Sequence, residues 1–283
     1  MKIKNREIEN IYTRTKQKIF FTDLDGTLLT TDKQVSPATW TVLEQWTAKG
    51  NLLALSSGRA TDSIRDVQRA LNLYFPGMYL IGYNGGEIYD CDRQKVVSRI
   101  SLTMEETAAV METAHRMGIH CHTYTDTHII TPAINEQLRY YQHVIITPVI
   151  CCENVLEALD QPPCKCIAIE LYDKQMLENF RLTLQSEMGD KLSLLYSNDK
   201  YLEIFPVASG KGAALQTLSA LLNIPIKNTL AAGDEINDIS MLQAAGLGIA
   251  MKNARDCVKE AADRVTETDN DEDGLVNILM EQL

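Results

Sequence analysis

Lys18-Ile19-Phe20-Phe21-Thr22-Asp23-Leu24-Asp25-Gly26 is the stretch on which the reading of this chain turns. Residues 19–22 are apolar or β-branched without polar alternation, the pattern of a strand buried on both faces. Asp-Leu-Asp-Gly then breaks the run, so the strand ends in a tight polar loop. Alternating carboxylates before a glycine are compatible with an ordinary turn, since Asp-Gly is a common turn pair. They are equally compatible with a ligand site, because open α/β sheets bind ligands outside the carboxyl ends of their strands.

The same grammar repeats outward from this stretch. Ser36-Pro37 has the form of an N-cap and first helical residue, and the helix continues through Trp40, Leu43 and Trp46 to a stop at Gly50. Leu52–Leu55 reads as a second buried strand, followed by Ser56-Ser57-Gly58-Arg59 and a helix over Thr61–Asn72. Met78–Ile81 is a third strand, ending in the turn Gly82-Tyr83-Asn84-Gly85-Gly86. Strand and helix in strict alternation point to a parallel sheet with crossover helices. From Lys211 the alternation resumes: a helix to Asn223, a strand over Thr229–Ala232, a helix over Asp238–Ala245, a strand over Gly248–Met251 and two final helices.

Between these halves the rhythm changes. Glu87–Asp90 and Lys95–Ile100 have the look of a hairpin, and Thr103-Met104-Glu105-Glu106 is a capping-box pattern opening a helix that stops at Gly118. Strands are expected near Ile119–Tyr124, Thr127–Thr131, Cys166–Tyr172, Leu192–Ser197 and Tyr201–Phe205, with a helix over Lys174–Met188. Paired strands with helices packed on them describe an α+β unit. The expected fold is therefore α/β, a Rossmann-like parallel-sheet core over residues 18–85 and 206–283, interrupted by an inserted domain over 86–205. Residues 1–17 read as a terminal extension.

Composition bounds the function classes. The 283 residues carry 27 lysines and arginines against 38 aspartates and glutamates, a net charge of −11 and a pI near 5.0. That balance disfavours a general nucleic-acid binder. No apolar run reaches the roughly 18–20 residues of a membrane span, and the polar opening Met1–Gln17 lacks the apolar segment of a secretory signal. The seven cysteines are odd in number and scattered, which suits a reducing cytoplasm better than a disulfide framework. His120, Cys121 and His122 invite a metal reading. A strand, however, sends the two histidines to one face and the cysteine to the other. Asp269–Asp273 reads as a solvated acidic loop ahead of a helix.

Chemistry concentrates at the expected strand ends. Asp23 and Asp25 follow the first strand, Ser57-Gly58 the second, and Gly233-Asp234-Glu235-Ile236-Asn237-Asp238 the late strand, while Lys211 opens a helix. Three carboxylates and a lysine suit Mg²⁺ and a phosphate together. Mg²⁺ takes oxygen ligands from one or two carboxylates, waters and substrate phosphate. Lysine supplies a point charge, and hydroxyls and loop amides can bind phosphate oxygens. A carboxylate can also act as nucleophile and form an aspartyl-phosphate.

In order, Phe21-Thr22-Asp23-Leu24-Asp25-Gly26-Thr27-Leu28, Ser57-Gly58-Arg59, Lys211-Gly212 and Gly233-Asp234-x-x-Asn237-Asp238 resemble the four signature motifs of the haloacid dehalogenase superfamily. The branch most similar is the Cof-type phosphatases, in which a large α/β cap lies between the second and third motifs. The resemblance implies Asp23 as nucleophile and Mg²⁺ ligand, Asp25 as acid/base with its backbone carbonyl on the metal, and Asp234 as a further metal ligand. It implies Leu24 as a backbone donor to the phosphate, Ser57 with Gly58 as a second phosphate clamp, and Lys211 as the neutralising cation. Asn237 would touch phosphate or substrate, and Asp238 would support the lysine or the metal waters. Here Ser57 stands where the family often has threonine, with Ser56 beside it, and Gly210 precedes Lys211 where serine is frequent.

What this resemblance implies is a cytoplasmic, Mg²⁺-dependent phosphatase of a small phosphorylated metabolite, first of all a sugar phosphate. No nucleic-acid, membrane or obligate protein partner is expected. The cap would close over the site and supply specificity, with His120, His122, Tyr124, Asp126 and His128 as polar candidates. A phosphotransferase or sugar-phosphate mutase, a flavin, pyridoxal or nucleotide phosphatase, and a regulatory binding protein with an inactive site are the alternatives.

Overall fold

The structure is a computed structural model and describes residues 17–143, 145 and 147–283. The expected extension therefore lies outside the described residues except for Gln17. In chain order, β1 (Ile19–Thr22), α1 (Pro37–Ala48), β2 (Leu52–Ser56), α2 (Thr61–Ala70) and β3 (Met78–Gly82) are followed by β4 (Glu87–Asp90) and β5 (Lys95–Arg99). Next come α3 (Met104–Met117), β6 (His120–Tyr124), β7 (Ile129–Thr131), α4 (Glu136–Gln142), β8 (Val149–Cys151), β9 (Cys166–Ile169), α5 (Lys174–Met188), β10 (Leu192–Asn198) and β11 (Tyr201–Pro206). The chain ends with α6 (Lys211–Leu222), β12 (Thr229–Gly233), α7 (Ile239–Ala244), β13 (Leu247–Ala250), α8 (Asp256–Glu260), β14 (Arg264–Val265) and α9 (Gly274–Gln282). No helix among the described residues is long and apolar enough to cross a membrane.

The chain divides into two compact units. The first comprises the residues up to Gly58, Ile64–Val97 and Gly210–Leu283; the second comprises Arg59–Ser63 and Ser98–Ser209. The first unit holds an eight-stranded sheet in the order β14-β13-β12-β1-β2-β3-β4-β5. Its strands are parallel from β14 to β3, and β4 runs antiparallel to β3. Phe20, Phe21, Leu53, Leu55, Leu80, Ala231 and Ile249 are buried, as a parallel sheet covered on both faces requires. Ser36 accepts a hydrogen bond from the Thr39 amide, and Pro37 sits at the first turn, so α1 begins where its cap dictates.

Strand order carries the functional information. From β1 the chain moves to β2 on one side, whereas β12, its other neighbour, leads away to β13. The order reverses between β1 and β12, and a doubly wound sheet opens its crevice at the carboxyl ends of such a pair.

The second unit holds a six-stranded sheet in the order β10-β11-β9-β6-β7-β8, antiparallel except for the β7–β8 pair. On one face Val110, Ala114, Leu177, Phe180 and Leu184 of α3 and α5 pack with Cys121, Cys166, Ala168, Leu202 and Ile204. The capping box forms as read: Thr103 Oγ1 accepts from the Glu106 amide, and Glu106 accepts from the Thr103 amide.

Several expectations need correction. The hairpin expected over Glu87–Ile100 within the insertion belongs to the first sheet instead: β4 pairs with β3 through Tyr79↔Asp90 to Gly82↔Glu87 and extends it. Helix α2 stops at Ala70 rather than Asn72, and Asn72 takes a positive φ of 54°. The expected helix over Asp238–Ala245 starts as a single 3₁₀ turn at Ile236–Asp238. Between residues 132 and 165, α4 and β8 form without a periodic signal long enough to announce them.

Candidate active site

Asp23 leaves β1 with its amide donating to Ala232 O of β12 at 3.0 Å, so the reversal point of the sheet fixes its backbone. From β12, Gly233 leads into Asp234. A side chain at Gly233 would meet Asp238 Cβ at 2.3 Å, so this position must be glycine for Asp238 to fold back beneath the loop. Asp238 Oδ2 accepts from the Asp234 and Glu235 amides, both at 3.0 Å, and ties the loop into one turn.

Lys211 begins α6 and reaches into this turn. Its Nζ donates to Asp23 Oδ1 and to Asp238 Oδ1, both at 2.6 Å. Asp234 Oδ1 accepts from Thr27 Oγ1 at 2.8 Å. Oxygens of Asp23, Asp234 and Asp238 lie within 4.8 Å of one another, all in buried residues. Asp23 is 8% exposed, Asp234 9% and Lys211 1%.

The charges do not balance. Three carboxylates face one ammonium in a space with little water. Burial pushes the Asp23 carboxyl well above its ordinary range; Lys211 opposes this, while Asp238 and Asp234 add to it. Burial likewise lifts Asp234 to about 6, with the Thr27 hydrogen bond opposing and Asp238 and Glu235 reinforcing. Burial alone would lower Lys211, but Asp23 and Asp238 outweigh it and hold the ammonium above its usual pKa. A hard divalent cation fits this donor set: the donors are all oxygen, and the negative charge is in excess. Asp23 and Asp234 are the ligands to expect, because Asp238 already spends both oxygens on Lys211 and two amides.

The other expected residues distribute around this centre. The Leu24 amide has no hydrogen-bond partner among the described residues and is available to an anion beside Asp23. Asp25 is positioned differently from Asp23: its Oδ1 accepts from Lys33 Nζ at 2.8 Å, at the solvent-facing side of the loop. Ser57 is buried, with its amide donating to Ile81 O at 2.9 Å and its carbonyl accepting from the Asn84 amide at 3.0 Å. Asn237 Nδ2 donates to Asn84 Oδ1 at 3.0 Å, and a side chain at Gly58 would meet the same Asn84 amide at 3.2 Å.

Asn84 therefore links the Ser57-Gly58 loop to the Asn237 turn, a connection the sequence reading missed. Its signal was the Asn84-Gly85 pair, an αL signature read only as a turn, and Asn84 does take φ 55°. Thr27 stands in the first motif, which implies no role for it, and holds Asp234. Lys33 carries no sequence signal. The His120/Cys121/His122 set forms no metal cluster among the described residues, where the aspartate trio is the group found.

A family model for haloacid dehalogenase-like hydrolases matches residues 20–279. The chain belongs to that family. The phosphatase YwpJ of Bacillus subtilis is 28% identical over 292 residues, covering 93% of this chain and 98% of the relative. The 5-amino-6-(5-phospho-D-ribitylamino)uracil phosphatase YwtE of the same organism is also 28% identical, covering 89% and 93%. A solved haloacid dehalogenase-like hydrolase from Bacteroides thetaiotaomicron superposes with a TM-score of 0.84 at 28% identity, covering 95% of this chain and all of the other. The resemblance carried by the four motifs is thus a family membership, and the chain is an enzyme of the hydrolase type.

Proposed function

We propose that this haloacid dehalogenase-like hydrolase is a Mg²⁺-dependent phosphatase of a small phosphorylated metabolite, working through an aspartyl-phosphate on Asp23. The observation that carries this reading is the Asp23–Lys211 contact of 2.6 Å beside Asp234, at the reversal point of the sheet. A carboxylate oxygen held against an ammonium is oriented for attack, and the same cation neutralises charge on the transferring phosphoryl group.

Asp23 attacks phosphorus in line, and Asp25, on the more open side of the loop, protonates the departing oxygen. Asp25 then takes a proton from the water that hydrolyses the acyl phosphate. The Leu24 amide, Ser57 with Gly58, and Lys211 hold the phosphoryl oxygens, and Asn237 contacts phosphate or substrate. Mg²⁺, held by Asp23, Asp234 and the Asp25 backbone carbonyl, would supply the remaining positive charge. Asp238 keeps Lys211 aimed and protonated.

A sugar or polyol phosphate is the substrate class we favour. YwtE is named for a substrate whose phosphate sits on a ribityl chain, itself a polyol phosphate, and that relative spans nearly the whole chain. The test is rapid acid quench with p-nitrophenyl phosphate followed by peptide mass spectrometry. Asp25→Asn should accumulate phosphate on Asp23, because an aryl leaving group needs little protonation whereas hydrolysis still needs the base. Chelator should abolish turnover by the parent protein. Phosphate trapped on another residue, or full activity in excess chelator, would overturn the reading.

A further inference from the structure

The second unit has a cavity of about 620 Å³, unrelated to the aspartate cluster. That size suits a small organic ligand. Its origin lies in the sheet. β7 pairs with β6 only at Thr123 and Tyr124, so the edge of β6 at His120 and Cys121 has no neighbouring strand on that side. The chain instead leaves β7 toward α4, and the notch between α3, the start of β6 and the segment 153–156 becomes the cavity. Ala114, Ile119 and Val155 form a buried apolar floor.

His120 is the buried imidazole of the wall, which His115, Asn135 and Asn154 line nearer solvent. It is 7% exposed and lines the cavity. Its Nε2 is 3.2 Å from His122 Nδ1, while its Nδ1 has no hydrogen-bond partner among the described residues. The contact continues inward: His122 Nε2 is 3.1 Å from Tyr124 Oη, which is 2.7 Å from Tyr141 Oη. Each neutral imidazole carries one proton, so the chain must be ordered in one direction throughout. If His120 Nδ1 accepts from a guest, His120 Nε2–H donates to His122, His122 Nε2–H to Tyr124, and Tyr124 to Tyr141. Burial holds both imidazoles below their ordinary pKa, His120 at about 4, which keeps them neutral at pH 7.

The rim gives the charge of the guest. Glu112, Glu153 and His115 are exposed residues of the lining, two carboxylates to one imidazole, and no lysine or arginine is among them. A phosphate ester would find two carboxylates and no permanent cation there, so this is not a second seat for the substrate. We propose that the cavity binds a small cationic heteroaromatic amine, with its ring on the Ala114–Ile119–Val155 floor, an N–H donated to His120 Nδ1, and its positive charge at Glu112 and Glu153.

Tryptamine and indole-3-acetate share a ring and differ in the sign of their charge, so they serve as probes of the full chain. Histidine-ring ¹⁵N NMR at pH 7 should show a saturable shift at His120 Nδ1 on titration with tryptamine, with Nδ1 remaining unprotonated. Indole-3-acetate should leave that signal in place. Glu112→Gln and Glu153→Gln should each weaken the tryptamine response about three- to fivefold, as befits exposed charges. Val155→Trp should abolish it while leaving p-nitrophenyl phosphate turnover unchanged, which also reports that the chain is folded. No His120 response to millimolar tryptamine, an equal response to indole-3-acetate, or binding that survives in a folded Val155→Trp variant would each overturn the proposal.

Discussion

Both units bury charge, but they do so on different terms. In the second, Lys165 Nζ meets Glu203 Oε2 at 2.9 Å with the two residues 2% and 6% exposed, a buried contact between opposite charges. Lys165 also lies 5.6 Å from the centre of the Tyr124 ring, a cation–π contact. In the first, Lys211 is shared by Asp23 and Asp238 while Asp234 stands within 4.8 Å of both carboxylates. Opposite charges that meet when buried offset part of each other's desolvation. Where carboxylates outnumber the ammonium beside them, burial first and neighbouring carboxylates second raise Asp23 and Asp234.

The sharpest way to break this contrast is to remove charge from the first unit. Asp23→Asn should reduce turnover by about 10⁴-fold or more, since no anionic nucleophile remains. In chelator, the same variant should melt above the parent protein, because it relieves repulsion without opening a cavity. Asp234→Asn should behave alike in melting and lose its response to added Mg²⁺. Calorimetry with and without the metal, beside steady-state assays, checks both. A lower melting point for both variants would mean that the aspartates are structural and the contrast false.

How much of this was legible depended on where the signal lay in the chain. The alternation around β1, β2, β3 and β12 is local, and so the sheet, the reversal point and Asp23, Lys211 and Asp234 followed from short runs and their loops. Partners separated by long stretches did not. That Asn84 bridges to Asn237, 153 residues away, depends on a turn whose backbone, not its composition, aims the side chain. Lys33 meets Asp25 through the loop's return, which carries no periodicity. The hairpin β4–β5 was readable as a hairpin, but a hairpin does not announce which sheet it joins. The division at residue 86 followed the change of rhythm, whereas hydrogen bonding carries the first sheet on through β5.

In the second unit the corresponding experiment attacks the buried ion pair. Lys165→Met removes the ammonium beside buried Glu203 and should cost about 3–5 kcal/mol. Pairing it with Glu203→Leu should recover most of that loss, because two apolar side chains of similar size remove both charges at once. Urea unfolding monitored by tryptophan and far-ultraviolet signals measures each step. If the double variant is no better than the single, the Lys165–Glu203 contact is not a structural ion pair, and Lys165 or Glu203 has a separate task.

A smaller effect should follow pH. His120 and His122 are buried neutral, and the groups they face are each other, Tyr124, Tyr141 and Lys165. Their folded pKa values lie below the unfolded value near 6.5, so the unfolded chain binds more protons as the solution is acidified. Their contribution is complete above pH 6.5 and is lost as pH falls toward 4, amounting to about 3 kcal/mol for His120 at the lower end. Carboxylates elsewhere also respond to acid, so the measurement is a difference. Across pH 7 to 4.5, His120→Gln should lose less stability than the parent protein. Parallel curves would show that His120 is protonated at no cost.

The smallest expected effect tests the link between the two loops of the first unit. Asn84 has φ 55° and ψ 36°, where asparagine is tolerated and glycine is at ease. Asn84→Gly therefore keeps the backbone and removes the acceptor of the Asn237 amide, whereas Asn84→Ala adds backbone strain. Asn237→Ala removes the donor from the other side. If the hydrogen bond of 3.0 Å positions Asn237 beside the phosphate, Asn84→Gly should raise KM or lower kcat by about five- to tenfold, the worth of one neutral hydrogen bond. The double variant should then be no worse than Asn237→Ala alone, because the second change removes a partner already gone. Kinetics alone would not separate positioning from loosened packing, so urea midpoints are needed for all three. Asn84→Gly with an unchanged midpoint and a non-additive kinetic loss locates the effect in the orientation of Asn237. Additive losses, or a midpoint that falls in step with activity, would instead reduce Asn84 to a turn residue, and the two loops would act on the phosphate independently.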